Sequence, residues 1–419
     1  MSKNIRIKEL AEKADQAGRI LSRAGDGQKR DFLTRLANIL RSEQDRIAQA
    51  NARDLDQARA AGLDSARTGR LLLTPEGIEE MAVACEEVAA LKDPVGEIEK
   101  MNRLPNGLQV GRMRIPLGVV AIIYESRPNV TIDAAILCLK AGNAVVLRGG
   151  SEAFNSNECL AGILARALEE SGLPREAAAF VPTTDRAAVS EMLKLDQHID
   201  VVIPRGGEGL IRAVVEQATM PVLKHYKGVC HIYVHRDADQ DTALEIVRNA
   251  KVQKPGVCNA LECLLVHSEA AGEFLPRLKV YLAKDEVRFR ACPRSVSLLG
   301  ENAVPAEDSD WGREFLSLDM AVRVVDSQQE AVEHIEIYGS NHSEAIITAS
   351  YSRAMRFVQE VDASAVLVNA STRFNDGGQF GLGAEIGIST SKIHAYGPMG
   401  VQELTGSKFV VFGQGQIRG

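Results

Sequence analysis

The chain lacks any apolar run long enough to span a lipid bilayer, and its first residues contain no apolar signal region. It also lacks an excess of basic residues. The formal net charge is −7 at pH 7, whereas a surface that binds a phosphate backbone is rich in lysine and arginine. Internal repeats and low-complexity segments are absent as well. These absences predict a globular protein that binds neither membranes nor nucleic acids.

The seven cysteines lack the spacing of a disulfide framework. Their number is odd, and no two of them form a Cys-x-x-Cys motif. This pattern is typical of reduced thiols in the cytoplasm. It predicts that the protein has no metal site.

The chain is long enough for two domains, with 419 residues of which 45% are hydrophobic and 25% charged. In the first hundred residues, apolar positions recur at spacings of three and four, which predicts helices at Ile5–Leu21, Arg30–Ala50 and Pro75–Leu91. The pair Asn106-Gly107 lies within the alternating segment Leu104–Ile115 and predicts a β-hairpin that projects as an arm.

From Pro116 onward, short apolar runs alternate with helical patterns. Such runs are typical of strands buried on both faces, and the β-α-β-α order predicts a doubly wound, mostly parallel sheet. A second α/β unit follows as far as about Gly400 and includes a glycine-rich loop, residues 371–389. Loops of that length in compact domains usually have a function. The predicted strands are 118–124, 143–148, 177–181, 200–203, 231–235, 262–266, 321–325, 345–349, 365–369 and 407–412.

Cys258 is the strongest candidate for a catalytic residue. It follows Pro255-Gly256, a pair that ends regular structure, so its thiol is expected at a turn with backbone N–H groups close by. A thiolate there can attack an acyl carbon, and N–H groups near Cys258 and Asn259 can stabilise the resulting oxyanion. The alternative for any single cysteine is an inert position in the core.

Two glycine-rich segments follow predicted strands and open helices. Glycine lets the backbone approach a phosphate closely, and a helix N-terminus presents free N–H groups. Two such segments at the carboxyl ends of one parallel sheet indicate a bound dinucleotide. Their arginines can also contact a 2′-phosphate, which favours NADPH, although arginines at strand ends are often only surface charges. The segments are Arg148, Gly149 and Gly150, and Arg205, Gly206 and Gly207.

Polar residues at two further places are candidates for ligand binding. Glu125–Asn129 follows the first buried strand, at the edge of the sheet where ligands bind. Glu314 precedes a later strand, and its carboxylate can accept ribose hydroxyl groups or can lie solvated at a helix end.

Six stretches together resemble the aldehyde dehydrogenase superfamily. The resemblance covers essentially the whole chain. It is closest to the branch whose members reduce L-glutamate 5-phosphate to L-glutamate 5-semialdehyde with NADPH, the second step of proline biosynthesis. The stretches are Tyr124–Val130, Ala141–Gly150, Ile203–Gly207, His225–Gly228, Pro255–Ala260 and Gly381–Ser389.

The resemblance implies an aldehyde-dehydrogenase-like α/β fold with two doubly wound domains. Residues 1–100 and 117–232 would bind the dinucleotide, and residues 233–400 would carry the nucleophile. Residues 101–116 and 401–419 would form a small β arm that builds a homo-oligomer.

The resemblance also implies roles for single residues. Cys258 would be the nucleophile, Arg148 and Arg205–Gly207 would line the NADP site, and Glu314 would hold the nicotinamide ribose. For the substrate we expect Arg127 and Arg373 at the anionic groups, Glu125 or Asp376 at the ammonium group, and Asn129 as a further contact.

Two departures from the wider superfamily bear on the chemistry. Oxidising members place a glutamate about one strand upstream of the thiol, where it activates water for thioester hydrolysis; His225 stands there in this chain. An enzyme that reduces an acyl phosphate must not hydrolyse its thioester, and loss of that base suppresses the leak. The superfamily's oxyanion asparagine has no clean counterpart within Tyr124–Ser126.

Two other functions remain open at this point. A non-phosphorylating aldehyde dehydrogenase would oxidise its aldehyde without inorganic phosphate, and a cysteine acyltransferase or hydrolase would bind no dinucleotide. A purely structural role explains neither the turn-borne thiol nor the glycine-rich segments. No part of the sequence resembles a kinase, so a separate glutamate 5-kinase is the expected supplier of the acyl phosphate and a candidate partner.

Overall fold

The computed structural model describes residues 7–418, so residues 5 and 6 of the first predicted helix lie outside it. The helices are α1 (Ile7–Leu21), α2 (Asp26–Ser42), α3 (Gln44–Ala60), α4 (Ser65–Leu71), α5 (Pro75–Ala90), α6 (Val130–Lys140), α7 (Phe154–Glu170), α8 (Arg186–Met192), α9 (Glu208–Gln217), α10 (Gln240–Val252), α11 (Ser268–Tyr281), α12 (Pro293–Leu299), α13 (Gln328–Tyr338) and α14 (Tyr351–Glu360). The strands are β1 (Ile98–Arg103), β2 (Gln109–Pro116), β3 (Val119–Tyr124), β4 (Ala144–Gly149), β5 (Ala178–Phe180), β6 (Val201–Arg205), β7 (Cys230–Val234), β8 (Leu261–His267), β9 (Arg288–Ala291), β10 (Ala303–Pro305), β11 (Asp319–Val325), β12 (Ser343–Ile347), β13 (Ala365–Val368), β14 (Ile388–Ser389), β15 (Gly397–Pro398) and β16 (Thr405–Phe412).

The predicted strands are confirmed with small shifts at their ends, but one predicted helix is wrong. The segment Arg30–Ala50 is not one helix, because the chain breaks at Glu43 between α2 and α3. Apolar spacing continues across this break, so periodicity alone does not reveal it. Helices α4 and α11 to α14 and strands β9, β10, β14 and β15 had no assignment in the sequence.

The described chain forms two compact units. The first contains the residues up to Lys224, Gly381–Gly387 and the residues from Met399 onward, and the second contains His225–Phe380 and Ile388–Pro398. The predicted boundary after residue 232 differs from this division, because β7 pairs with β8 and β12 in the sheet of the second unit. The predicted boundary at residue 400 also misses the return of Gly381–Gly387 to the first unit.

The first unit is built on a parallel sheet of four strands in the order β5-β4-β3-β6. Val119, Ala121 and Ile123 of β3 pack with Ile7 and Ala14 of α1 in one buried cluster. The intervening residues of β3 are also fully buried, because helices cover the other face, and this explains the continuous apolar run.

The strand order of this sheet defines where a ligand can bind. From β3 the chain moves through α6 to β4 and then to β5, and it next crosses to β6 on the opposite side of β3. The connections that leave β3 and β6 therefore diverge, which makes the carboxyl ends of these two strands the switch point of the sheet. Glu125 and Gly206 follow the two ends directly.

The hairpin predicted at Asn106-Gly107 is confirmed and belongs to a three-stranded antiparallel sheet, the arm, in the order β1-β2-β16. Gly107 has a φ of 88°, a left-handed conformation that favours glycine. In the part of the chain that is described, β16 pairs with β2 alone, so its other edge is exposed.

The second unit contains a parallel sheet of seven strands in the order β10-β9-β11-β8-β7-β12-β13. Its central strands β7, β8 and β12 are buried along their whole length, and α10, α11 and α13 contribute to the same core. Over residues 7–418, no helix combines the length and apolar character needed to cross a membrane.

A charged pair lies inside this core. His231 of β7 and Glu344 of β12 are register partners in adjacent strands, and both side chains are fully buried. One carboxylate oxygen of Glu344 accepts hydrogen bonds from the backbone N–H of His231 at 2.8 Å and from its Nδ1 at 3.0 Å. Burial raises the pKa of Glu344 and by itself would lower that of His231, but Glu344 and Cys263 together outweigh burial and raise the pKa of His231 to about 10. We assign the proton of the pair to the imidazole, because both N–H donors stabilise the carboxylate form.

Replacing Glu344 by Gln is expected to lower the free energy of unfolding by about 3–5 kcal/mol, because it leaves a buried imidazole without its counter-charge. Since the pKa of His231 is raised on folding, its contribution is complete below about pH 6.5 and is lost as the pH rises towards 10. Urea titrations at pH 7 and pH 10 should therefore show a smaller difference between the two proteins at pH 10. A constant difference would contradict this assignment.

Candidate active site

Three residues converge on one end of the sheet in the second unit. His225 lies shortly before β7, Cys258 shortly before β8, and His342 directly before β12. Because β8, β7 and β12 are parallel neighbours, the segments that enter them meet at their amino ends. The Sγ atom of Cys258 and one ring nitrogen of each histidine all lie within 4.8 Å of one another.

Cys258 occupies the turn that its sequence predicts. Helix α10 ends at Val252, Pro255 and Gly256 form a turn, and the N–H of Ala260 donates to the carbonyl oxygen of Val257 at 3.1 Å. Cys258 is half-buried. Within residues 7–418, the N–H groups of Cys258 and Asn259 donate to no protein acceptor, so both remain for an oxyanion.

Gly228, just before β7, and Cys230, the first residue of β7, hold the backbone of Cys258 in place. A Cβ atom at Gly228 would lie 1.8 Å from the carbonyl oxygen of Cys258, so only glycine permits this approach. The thiol of Cys230 donates to the same carbonyl oxygen at 3.1 Å. Burial raises the pKa of Cys230 well above its usual value, so it stays a protonated donor.

The two ends of the turn that carries Cys258 are joined by a buried ion pair. Lys251 Nζ donates to the carbonyl oxygen of Leu261 at 2.8 Å and to Glu262 Oε2 at 2.7 Å. Burial lowers the pKa of Lys251 and raises that of Glu262 to about 7. The other carboxylate oxygen of Glu262 accepts the N–H of Leu316 at 3.0 Å, which ties the turn to the segment that carries Glu314.

Glu314 lies beside the same turn. Its Oε1 accepts the N–H of Gly228 at 2.8 Å, and Gly228 packs directly on Cys258. The candidate ribose ligand and the candidate nucleophile are therefore linked through a single glycine.

Asn259 and Arg373 are also brought to this site. The side-chain amide of Asn259 donates to the carbonyl oxygen of Asn375 at 2.9 Å, and its oxygen accepts a hydrogen bond from Arg373. Arg373 Nε donates to Gln253 at 2.9 Å. The side chain of Asn259 thus fastens the glycine-rich loop to the turn that carries Cys258, and only its backbone N–H is left for an oxyanion.

His342 is the residue of this site that the sequence did not reveal. It is fully buried, its ring centroid is 5.7 Å from that of His225, and its Nδ1 lies 2.8 Å from Ser343 Oγ. No local motif marks it, because it reaches Cys258 only through the pairing of β12 with β7. The sequence predicted no metal site, and nothing in the cysteine and histidine spacing indicated this cluster.

In each of the two glycine-rich segments of the first unit, a carboxylate oxygen lies close to a glycine. Glu125 Oε2 accepts the N–H of Gly207 at 2.9 Å, and a Cβ atom at Gly206 would lie 2.4 Å from the same oxygen. At the other segment, a Cβ atom at Gly150 would lie 2.2 Å from Glu152 Oε1. Because these glycines have no Cβ atom, an anionic oxygen can lie beside them. Gly207 also lies at the start of α9, where free N–H groups can bind an anion.

Arg148 and Arg205 border these segments. The guanidinium of Arg148 is buried at the end of β4, donates to the carbonyl oxygens of Gly149 and Thr184, and has no partner for its Nε among residues 7–418. A Cβ atom at Gly387 would lie 2.3 Å from the guanidinium of Arg205. Backbone donors, guanidinium groups and carboxylates at the switch point of one sheet fit the phosphates and ribose hydroxyls of a dinucleotide.

The remaining predicted substrate residues are divided between the units. Arg127 and Asn129 follow β3 in the first unit; Arg127 is exposed, and the amide of Asn129 donates to Asp133 at 2.8 Å. Asp376 of the second unit accepts the N–H groups of Gly378 at 3.0 Å and Gln379 at 3.2 Å, so its carboxylate shapes the glycine-rich loop.

Comparison with known proteins agrees with this arrangement. The model of the aldehyde dehydrogenase family matches residues 2–289. The chain is 62% identical over 412 residues to the gamma-glutamyl phosphate reductase of Nitratidesulfovibrio vulgaris (strain DP4), covering 98% of each chain.

Solved structures give the same result. The crystal structure of the gamma-glutamyl phosphate reductase of Thermotoga maritima superposes with a TM-score of 0.96 at 46% identity and covers 99% of this chain and 100% of that one. An engineered glycolyl-CoA reductase with bound NADP+ has a TM-score of 0.70 at 15% identity over 97% of this chain and 96% of that one, which shows a shared fold.

The parallel sheets, the turn-borne thiol and these matches define an aldehyde dehydrogenase fold. The chain belongs to the aldehyde dehydrogenase family and, within it, to the gamma-glutamyl phosphate reductases.

Proposed function

We propose that the protein reduces L-glutamate 5-phosphate to L-glutamate 5-semialdehyde and phosphate, with NADPH as reductant and a thioester on Cys258 as intermediate. The convergence of Cys258, two histidines and unused backbone N–H groups at one sheet end carries this proposal. The names of relatives that are 53% to 62% identical over nearly the whole chain support the substrate.

The first chemical step is loss of the thiol proton. One ring nitrogen of His225 and one of His342 lie within 4.8 Å of Cys258 Sγ and of each other. Either histidine can therefore accept the thiol proton after a small side-chain movement. The thiolate then attacks the acyl carbon, a C–S bond forms, and the C–O bond to phosphate breaks.

The backbone N–H groups of Cys258 and Asn259 stabilise the tetrahedral oxyanion of this step. A donor of this kind contributes on the order of 3 kcal/mol to the transition state. Gly228 and Cys230 fix the carbonyl group of Cys258, so the orientation of the following peptide N–H is set before the substrate binds. Collapse of the reduced intermediate returns the thiolate and releases the semialdehyde.

NADPH, when bound, supplies the hydride that reduces the thioester. The residues that would hold it are Arg148, Gly149 and Gly150 at β4, Arg205, Gly206 and Gly207 at β6, and Glu314. The N–H of Gly207 donates to the carboxylate of Glu125, so it can also donate to another anionic oxygen. A phosphate oxygen there would replace it, and the freed Glu125 could then serve the substrate ammonium group, as could Asp376.

Arg373 is the best candidate for an anionic group of the substrate in the second unit. It already lies on Asn259, beside the nucleophile. Arg127 and Asn129 are the corresponding candidates in the first unit.

The test is a nucleotide reduction assay with glutamate 5-semialdehyde and NADP+, run with and without inorganic phosphate. The proposal requires phosphate, because the reverse reaction forms the acyl phosphate by phosphorolysis of the thioester. Oxidation that proceeds equally without phosphate would instead support a non-phosphorylating aldehyde dehydrogenase. Absence of any change in NADPH fluorescence on addition of protein would favour a cysteine acyltransferase.

We further propose that the arm assembles a homo-oligomer. Phe409 and Val411 of β16 are 71% and 54% exposed, and no strand among the described residues pairs with the outer edge of β16. Apolar side chains on an open strand edge are typical of a surface that pairs with another chain. We also propose that the protein acts in the cytoplasm and associates with a separate glutamate 5-kinase.

Replacing Phe409 and Val411 together by glutamate is expected to reduce the molecular mass in solution, measured by light scattering after size-exclusion chromatography. Ile337→Glu is a matched control, since Ile337 is also 71% exposed but lies on α13. An unchanged mass in the arm variant would show that this edge does not assemble the protein.

A further inference from the structure

We propose that His225, Cys258 and His342 form a site for a zinc-class divalent cation, and that the metal reversibly blocks the nucleophile. The three ligand atoms lie within 4.8 Å of one another. Thiolate and imidazole are the ligands that zinc prefers, with bonds of about 2.3 Å to sulfur and about 2.0 Å to nitrogen.

The surroundings of His342 favour ligation. Ser343 Oγ lies 2.8 Å from His342 Nδ1 and also accepts a hydrogen bond from the amide of Asn375 at 2.8 Å. A hydroxyl oxygen can accept two hydrogen bonds, so Nδ1–H can donate to it. Such a bond selects the tautomer whose Nε2 carries the lone pair, the arrangement found around metal-binding histidines.

Access also favours this site. Cys258 and His225 are half-buried, so a hydrated ion can reach them and keep water in its fourth position. The thiol proton passes to solvent when the metal binds. Inhibition by the metal depends on the proposed function, whereas metal binding does not.

A second cluster of the same residue types provides an internal comparison. His231, Cys263 and His334 also place ligand atoms within 4.8 Å of one another, but all three are fully buried. His334 Nδ1 accepts a hydrogen bond from Arg323 at 3.1 Å, so its Nε2 must carry the proton that faces Cys263 Sγ at 3.5 Å. His231 is held by Glu344. The second cluster therefore offers no free imidazole lone pair to an ion.

The experiment titrates the full chain with Zn2+ in a thiol-free reducing buffer, by calorimetry and by competition with a chromophoric zinc indicator. We expect one ion per chain. Cys258→Ser and His225→Gln should each weaken binding by about tenfold or more, while Cys263→Ser leaves the affinity within about twofold. Loss of zinc affinity in the Cys263 variant alone would place the ion in the second cluster and overturn the proposal.

Two readouts on the unmodified protein keep the test independent of how the variants fold. Co2+ should produce a thiolate-to-metal charge-transfer band, and Zn2+ should protect Cys258 from alkylation by iodoacetamide, located by peptide mass spectrometry. Alkylation of Cys258 at the same rate with and without Zn2+ would overturn the site. Zinc binding without inhibition of the reductase assay would leave the site standing and would contradict the catalytic role of the thiol.

Discussion

Replacing Cys258 by serine is expected to lower the rate of semialdehyde formation by about 10⁴-fold or more, because a serine hydroxyl is a far weaker nucleophile than a thiolate. Binding of NADPH should be unchanged, since the residues proposed to bind its phosphates lie at β4 and β6 of the first unit. Stopped-flow assays of turnover and fluorescence titration of NADPH measure the two effects separately.

Cys159→Ser is the matched control. Cys159 is 8% exposed and its Sγ lies 3.9 Å from the carbonyl oxygen of Arg46, to which a serine hydroxyl could also donate. This variant should retain full activity. Substantial turnover in the Cys258 variant would contradict covalent catalysis by this thiol, whatever the behaviour of the control.

The second large effect is expected from Gly228→Ala. A Cβ atom at this position would lie 1.8 Å from the carbonyl oxygen of Cys258 and 2.8 Å from its Cα, so the catalytic turn must move. A displacement of about 1 Å at a reacting group costs about 10²-fold in rate. The loss should appear in kcat, measured by steady-state kinetics.

Gly272→Ala separates this contact from the general effect of losing a glycine. Gly272 lies inside α11 of the same unit, and a Cβ atom there would meet nothing within 4 Å. Alanine in a helix interior is more favourable than glycine by about 1 kcal/mol, so this variant should be active and slightly more stable. If Gly228→Ala retained normal kcat, the approach of β7 to the turn would not position the nucleophile.

Local chemistry explains which parts of the fold could be predicted. The Asn106-Gly107 hairpin and the Pro255-Gly256 turn depend on the conformational preferences of adjacent residues, and the buried strands β3 and β4 depend on continuous apolar runs. Those signals are short in sequence, and the structure confirms them.

The missing parts of the site depend on contacts between distant segments. His342 and Cys230 approach Cys258 only because β12, β7 and β8 are neighbours, and sequence spacing does not encode that order. The break at Glu43 was missed for a different reason, since the apolar spacing of α2 and α3 runs through it.

The arm joins segments that the ribosome makes at very different times. Strand β16, at Thr405–Phe412, pairs along its whole length with β2, at Gln109–Pro116. The second unit, by contrast, consists mainly of the continuous stretch His225–Phe380. During synthesis its sheet can form while the arm still lacks a strand, so the surface proposed for assembly is completed only after β16 has left the ribosome. A nascent chain in which the turn around Cys258 has folded would therefore stay single until β16 has been made.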